Sequence, residues 1–395
     1  MPISADSREK HRQWLFEVTQ IPTAAGREHR VEAWIERWAA GHAGVSLVRD
    51  PAGNLTLAMT NEPAGRPVYF TAHLDHPAFV VERVIHEHLV ELSFRGGVMD
   101  DYFTSEGGAK VRFFDAADRQ TTGTIVAKAG KGIGWDLWTC ELDTPLATLA
   151  PGDIARWDLP VAENIDGCIH TDACDDLSTV AAALGAFEQL LRVHASGRLG
   201  QPVRILFTRA EEVGFIGAIA AVRHKTIPME ARVIALENSR SFPDSPIGGG
   251  PIVRVGDRLS IFSPGLSTAI AKRAEQLGGP ATPKASEKLS TPAWKWQRKL
   301  MAGGACEASV FYDAGYDATC VCLALGNYHN MADLTAVQAA TNTHPPRVGR
   351  EFVSLADFDG LVDLLMACGE ELPAASPVSA MVDRLWTERA AVLDR

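Results

Sequence analysis

Residues 203–238 read VRILFTRAEEVGFIGAIAAVRHKTIPMEARVIALEN. Val203, Ile205, Leu206 and Phe207 make an apolar run with the look of a buried strand, and Val233 to Leu236 make a second. Between them FIGAIAAVRHK reads as helix. Strand, helix, strand at this spacing is the unit from which parallel sheets are assembled. The first strand ends oddly, with Glu211 and Glu212 side by side. Like charges in contact repel, and each raises the pKa of the other. In open α/β sheets, sites form beyond the carboxyl ends of the strands, which is where both acids fall.

The same alternation extends outward. Residues 6–19 and 27–40 read as amphipathic helices, the second with Val31, Trp34, Ile35 and Trp38 on one face. VSLVRDPAGNLTLAM reads as two strands around a turn, and PVYFTAHLDHP as a strand stopped by Pro77. After residue 165, DDLSTVAAALGAFEQLLRV, LSTAIAKRAEQLG and LADFDGLVDLLMACGEEL read as helices, and TCVCLAL as a strand. From about 78 to 165 the character differs: AFVVERV, HLVELSF, AKVRFF, GTIVAKA and DIARWDL are short strands broken by Gly and Asp. The expected fold is therefore α/β, a mostly parallel central sheet with helices on both faces, interrupted by a small β-rich domain. The expected division is 1–77 and 166–395 as the two parts of one domain, with 78–165 inserted between them.

Composition narrows the function. A net charge of −11 argues against nucleic acid as the main partner, because phosphate binding needs clustered Lys and Arg. No apolar run reaches the roughly 18 residues that span a bilayer, so no membrane partner is expected. The stretch MPISADSREKHRQWLF lacks the basic-then-apolar order of a secretory signal, and the expected location is the cytoplasm. An odd number of scattered cysteines, seven, favours free thiols over a disulfide framework. Cys320 and Cys322 lie in a strand-like run and read as core.

Polar residues directly after apolar strands form a set: His73 and Asp75, Glu211 and Glu212, Glu237, and His329. Asp175 and Asp176 stand where a helix begins. Each alone has an ordinary reading, such as an N-cap for Asp-Asp or a solvated helix face for Glu-Glu. Their joint occurrence at element ends, all outside the β-rich insert, points to one site. Adjacent carboxylates become tolerable beside dications, whose charge favours ionised ligands. One Glu can then bind metal while the other serves as general base.

At this point the sequence resembles the tetrahedral or glutamyl-aminopeptidase type of co-catalytic metallo-aminopeptidase. The motifs that carry the likeness run from IPTAAGRE through TAHLDH, Gly152-Asp153, DACDDLSTVAA, TRAEEVGFIGA, ALENSRSFPDSP, GGGPIVRVGDR and GGACEAS to GNYHN. About one hundred positions separate Asp75 from Asp175, and the β-rich insert fills them, as in that branch of the superfamily. The resemblance implies that His73 and Glu237 hold one metal and Glu212 and His329 the other, with Asp175 bridging. It implies Glu211 as general base and Asp75 as the group that orients His73. Two divalent ions follow, and nitrogen and oxygen donors without thiolate suit Zn²⁺, with Co²⁺ or Mn²⁺ as alternatives. Short peptides with a free N-terminus are the implied substrates, and a homo-oligomer, a dimer or a dimer-based cage, the implied state, with the insert as lid and oligomerisation domain.

The chain departs from that pattern in places. Glu237 stands where Asp is frequent, Leu177 follows Asp175-Asp176 where Arg is usual, and Gly303-Gly304-Ala305-Cys306-Glu307 replaces Gly-Gly-Thr-Asp. His76 follows Asp75 where a Gly soon after the Asp is usual. The rival readings are a metal-dependent amidase or deacylase acting on N-acylated substrates, and a non-catalytic binding relative. Among other features, Gly248-Gly249-Gly250 reads as a turn before a phosphate cradle, since no Lys-Ser/Thr follows. Trp294 and Trp296 read either as a substrate wall or as core packing or a subunit contact, Cys306 has no readable catalytic partner, and His86 and His88 read as exposed strand residues.

Overall fold

The structure is a computed structural model describing residues 3–104, 108–281, 293–373 and 378–393. Helices α1 (Ala5–Val18) and α2 (His29–Ala40) precede strands β1 (Val45–Arg49), β2 (Leu55–Met59) and β3 (Val68–His73). Six strands follow: β4 (Ala78–His86), β5 (Leu89–Arg95), β6 (Lys110–Phe114), β7 (Gln120–Lys131), β8 (Asp136–Leu142) and β9 (Ile154–Trp157). Then come β10 (Glu163–Ile165), β11 (Cys168–Thr171), α3 (Leu177–Ala195), β12 (Val203–Thr208), α4 (Ile216–His224) and β13 (Arg232–Arg240). The rest is β14 (Ile252–Gly256), α5 (Pro264–Gly278), β15 (Gln297–Leu300), α6 (Ala308–Asp313), β16 (Asp317–Leu325), α7 (Leu334–Gln338), β17 (Glu351–Ser354), α8 (Leu355–Glu370) and α9 (Val378–Arg389).

Eight strands form the main sheet in the order β1-β2-β12-β3-β13-β16-β14-β15. The centre, β12-β3-β13-β16, is parallel, while β2 pairs antiparallel with β12 and β14 antiparallel with β16. All six residues of β3 are buried, as a parallel strand covered on both faces requires. Helix α3 covers one face and is buried over most of its length. Its Gly185 lets α1 approach, since a Cβ there would lie 3.0 Å from the His11 ring. On the other face Tyr69, Leu206 and Val233 pack with Ala218 of α4 and Phe311 of α6. Helix starts follow capping chemistry: the Ser4 and Ser354 hydroxyls accept the N–H of Ser7 and Asp357, and Pro264 follows Ser263 at the start of α5.

Strands β4 to β9 close into a barrel with its own core, including Phe79, Phe94, Phe103, Trp138 and Trp157. Phe103 stacks on Trp138 at 4.1 Å between ring centroids. Strand β10 leaves the barrel and joins β11 and β17 in a separate three-stranded sheet. Trp296 is buried and donates its indole N–H to the Gly279 carbonyl at 2.8 Å, with Trp294 packed beside the same core. Both rings therefore pack against the main core. Gly248 and Gly250 donate their N–H groups to the Asp357 carboxylate, which makes their loop a structural turn. All seven cysteines are free, and Cys306, Cys320 and Cys322 are buried. Among the described residues no helix is long and apolar enough to cross a membrane.

Candidate metal centre

The parallel register brings the strand ends level. Thr208 of β12 pairs with His73 of β3, and Thr71 of β3 pairs with Ala235 of β13, two residues before Glu237. Glu237 thus reaches the same edge as His73. β12 then turns through Ala210, whose φ of 52° is left-handed. The buried Glu28 holds that turn: its carboxylate accepts the Ala210 N–H at 3.0 Å and pairs with Arg209 at 2.8 Å. Asp75 holds the next two residues, one oxygen accepting the Glu211 N–H at 2.9 Å and the other the Glu212 N–H at 3.0 Å. Glu351 ties the remaining pieces, accepting the N–H groups of Cys174 and Asp175 on one oxygen and that of His329 on the other. Glu28 and Glu351 carry no sequence signal beyond their charge.

Two donor groups result, sharing Asp175. His73, Asp175 and Glu237, joined by Asp176, offer ligand atoms all within 4.8 Å of one another. Asp175, Glu212 and His329 do the same. His73 Nε2 lies 3.4 Å from Asp175 Oδ1 and 3.9 Å from Glu237 Oε1. His329 Nε2 lies 3.5 Å from Asp175 Oδ2 and 3.4 Å from Glu212 Oε2. Glu211 stands beside this pair of groups, within 4.8 Å of ligand atoms of His73 and Glu212. The seven residues given a role from the sequence, with Asp176 beside them, therefore gather at one edge of the sheet. The His73 ring turns its Nδ1 to the Asp75 main-chain carbonyl at 3.1 Å, with the Asp75 carboxylate at 3.6 Å.

The donor set fits divalent cations. His73 Nδ1 faces a carbonyl and a carboxylate, and His329 Nδ1 faces the Gly97 carbonyl at 2.7 Å. Both are acceptors, so each Nδ1 carries its proton and donates. Each Nε2 is thereby turned on two carboxylates, and a cation between them would take its lone pair. Asp175 Oδ1 and Glu212 Oε1 are buried without a hydrogen bond. Burial pushes the carboxyls of Glu211, Glu212 and Asp176 well above the usual range, with neighbouring acids adding to it. Burial and then Asp175 push Glu237 up to about 8. Asp175 goes the other way: burial opposes ionisation, but His329 and His73 outweigh it. Six acids packed this closely have little reason to coexist except around positive charge.

His76 is adjacent and serves the scaffold, its ring bridging the Asp175 carbonyl at 2.6 Å and Asn330 Oδ1 at 3.0 Å. Glu307 of the altered glycine motif lies behind His73, where its buried carboxyl accepts from Thr71 and, at 2.6 Å, Thr208.

Two clefts open from the centre. One, of about 550 Å³, runs from Glu212 and Val213 to the barrel residues Phe94, Phe103, Trp135 and Trp138. The other, of about 400 Å³, is lined by Glu237, Arg254, Phe242, Met301, Tyr328 and Gln338 among others. Arg254 is 2% exposed. Its Nη1 donates to Ser239 Oγ at 3.2 Å, its Nε has no partner, and no described carboxylate forms an ion pair with it. A buried guanidinium this poorly satisfied is costly unless something else completes it.

The family model for M42 glutamyl aminopeptidases matches residues 143–343. A search of curated proteins gave no significant match. Among solved structures, the chain is similar to the Pyrococcus horikoshii TET1 peptidase, described as assembling into a tetrahedron or a large octahedral shell. The identity is 21% and the TM-score 0.70, over 92% of this chain and 100% of that one. An aminopeptidase from the archaeon Desulfurococcus kamchatkensis matches at 18% identity and TM-score 0.69, over 92% and 95% of the two chains. A TET aminopeptidase from a marine sediment archaeon of the Thaumarchaeota matches at 17% identity and TM-score 0.70, over 92% and 97%. At these identities the likeness is one of fold.

Proposed function

The chain is a peptide-bond hydrolase of the M42 glutamyl aminopeptidase family, and we propose that it is a two-metal aminopeptidase favouring short peptides with an acidic first residue. The observation that carries this reading is the meeting of two donor groups on Asp175. His73, Glu237 and Asp175 would hold one cation, and Glu212, His329 and Asp175 the other. When bound, such a pair polarises a scissile carbonyl and acidifies water. The protein side of the chemistry falls to Glu211. Its backbone is pinned through Asp75, its carboxylate is flanked by Glu212 and His73, and it takes a proton from the attacking water and delivers it to the leaving amine. The surplus of carboxylates at the floor favours a cationic N-terminal ammonium over an uncharged acylated end.

Arg254 supports the preference for acidic side chains. It borders the same cleft as Glu237 and keeps Nε free for a carboxylate. A buried Arg–carboxylate contact supplies charge-assisted hydrogen bonds with defined geometry. That choice agrees with the glutamyl specificity in the family's description.

The proposal extends to assembly. Residues 1–77 and 166–395 form the catalytic part, and 78–165 a lid and oligomerisation module of a homo-oligomer. The shell described for the similar Pyrococcus horikoshii chain supports this.

The test is mass spectrometry of a mixed pool of free and N-acetylated short peptides. Protein stripped of metal is resupplied with Zn²⁺, Co²⁺ or Mn²⁺. Metal-dependent loss of single N-terminal residues from free peptides, acidic ones first, is the expected result. Cleavage of the acetylated peptides instead would move the reading to an N-acyl amidase.

A further inference from the structure

The barrel reaches into the centre through one short segment. β5 ends at Arg95, and residues 96–103 then cross as a strap to the loop that follows β16. The Gly97 carbonyl accepts the Nδ1–H of His329 at 2.7 Å. Tyr102, fully buried, donates its hydroxyl to the Ala332 carbonyl, also at 2.7 Å. Its ring packs with Met331, Leu334 and Val337, with Val98 and Met99 alongside. Gly96 lets the strap pass close to the other half of the site. Its φ is +144°, and a Cβ there would lie 2.6 Å from the Cβ of Pro77, just beyond His73 and Asp75.

His329 needs such support. Its backbone is left-handed, at φ 54° and ψ 37°, as it is at Asn327, Asn330 and Asp333. A bulky residue stays in that region only where its surroundings over-determine it. The main fold holds the His329 backbone, through Glu351. The hydrogen bond that fixes the ring comes from the barrel. His73 differs, since its ring is fixed by the Asp75 carbonyl within the main domain.

We propose that the 96–103 strap is an integral part of one cation position: Gly97 and Tyr102 are positioning residues that fix the tautomer and direction of His329, so the seating of the barrel governs the Asp175–Glu212–His329 position and spares the His73 position. The inference rests on the two-metal reading above. It gives the inserted barrel a part in the chemistry through the main chain, without a catalytic side chain.

The experiment uses the full chain and Co²⁺ as the probe. Apoprotein is titrated with Co²⁺ and followed by visible absorption, alongside the unfolding temperature of the apoprotein. Tyr102→Phe removes the strap's hydroxyl bond and keeps the ring. Gly96→Ala pushes the strap from Pro77 and serves as the second variant. The expected result is two binding steps in the parent, with one weakened about tenfold in each variant and the other within about twofold, the apoprotein losing some stability in both variants and more in Gly96→Ala. Two unchanged steps in both variants would overturn the inference. So would equal weakening of both steps, which would mark a purely structural strap. A parent chain that takes up no Co²⁺ would instead refute the two-metal reading itself.

Discussion

Arg254→Met separates the specificity claim from the catalytic one. Arg254 is buried, holds one side-chain hydrogen bond through Nη1, and leaves Nε unpaired beside the cleft that begins at Glu237. A substrate carboxylate that reached Nε would complete it with one charged hydrogen bond. Hydrogen bonds to charged groups contribute roughly 1.5–3 kcal/mol each, so losing that contact removes about 2 kcal/mol. At 1.36 kcal/mol per decade that is about 30-fold in kcat/KM for peptides beginning with Glu or Asp. Methionine fills similar space with adaptable packing, so peptides beginning with Leu or Ala should change by no more than about threefold. Removing a poorly paired buried charge should not lower stability. The assay is kcat/KM on matched peptides differing only in the first residue, with metal content measured on the same samples. An equal fall for acidic and neutral peptides at unchanged metal content would refute the argument, placing Arg254 in general support of Glu237. A parent enzyme indifferent to the first residue would refute it as directly.

Other outcomes follow from the same geometry. Glu211→Gln should lower kcat by about 10³-fold with metal content nearly unchanged, because its backbone ties remain and only the proton acceptor is lost. Equal loss of metal would mean that Glu211 and Glu212 exchange roles. Asp175→Asn removes the charge shared by both donor groups, so both metals should bind more weakly and activity fall with them; full metal retention would exclude the bridge. Far from the site, Glu188 accepts from His11 at 2.9 Å and from Lys10 at 2.5 Å. Burial opposes its ionisation, yet those partners hold its carboxyl down to about 2, against 4.5 ordinarily. A folded pKa below the unfolded one stabilises fully above about pH 4.5 and loses that contribution as pH falls toward 2. Glu188→Gln should therefore flatten the dependence of Tm on pH across that window, and an unchanged slope would contradict the assignment.

What could be read from the chain and what could not divide along physical lines. β3, β12, β13 and β16 announce themselves because central parallel strands are apolar on both faces, and α3 because it is buried along most of its length. The ligand candidates were legible because each follows such a strand or opens such a helix. Strand β15, the polar Gln297–Leu300 at the sheet edge, has no such pattern. Arg254 sits in PIVRVGD, where alternation would turn a charged residue to solvent. It is buried because β14 lies inside the sheet, between β16 and β15. Glu28, Glu351 and Glu307 look like surface acids in sequence, and their partners Ala210, Cys174 and Thr208 lie 182, 177 and 99 positions away; their burial is a property of the assembled fold. Gly97 acts through its carbonyl, which no side-chain pattern can signal. Trp294 and Trp296 had open readings, and the structure packs both against the main core, Trp296 with an indole bond to Gly279.

The central claim is that two cations, gathered on Asp175, make this fold a working aminopeptidase. The most direct test measures metal per chain by inductively coupled plasma mass spectrometry and, on the same samples, release of the first residue from a free peptide during stepwise Zn²⁺ addition to apoprotein. The account expects saturation at two equivalents per chain, with full activity only as the second is bound. Full activity at one equivalent, or two equivalents bound with Asp175→Asn unaffected, would contradict it.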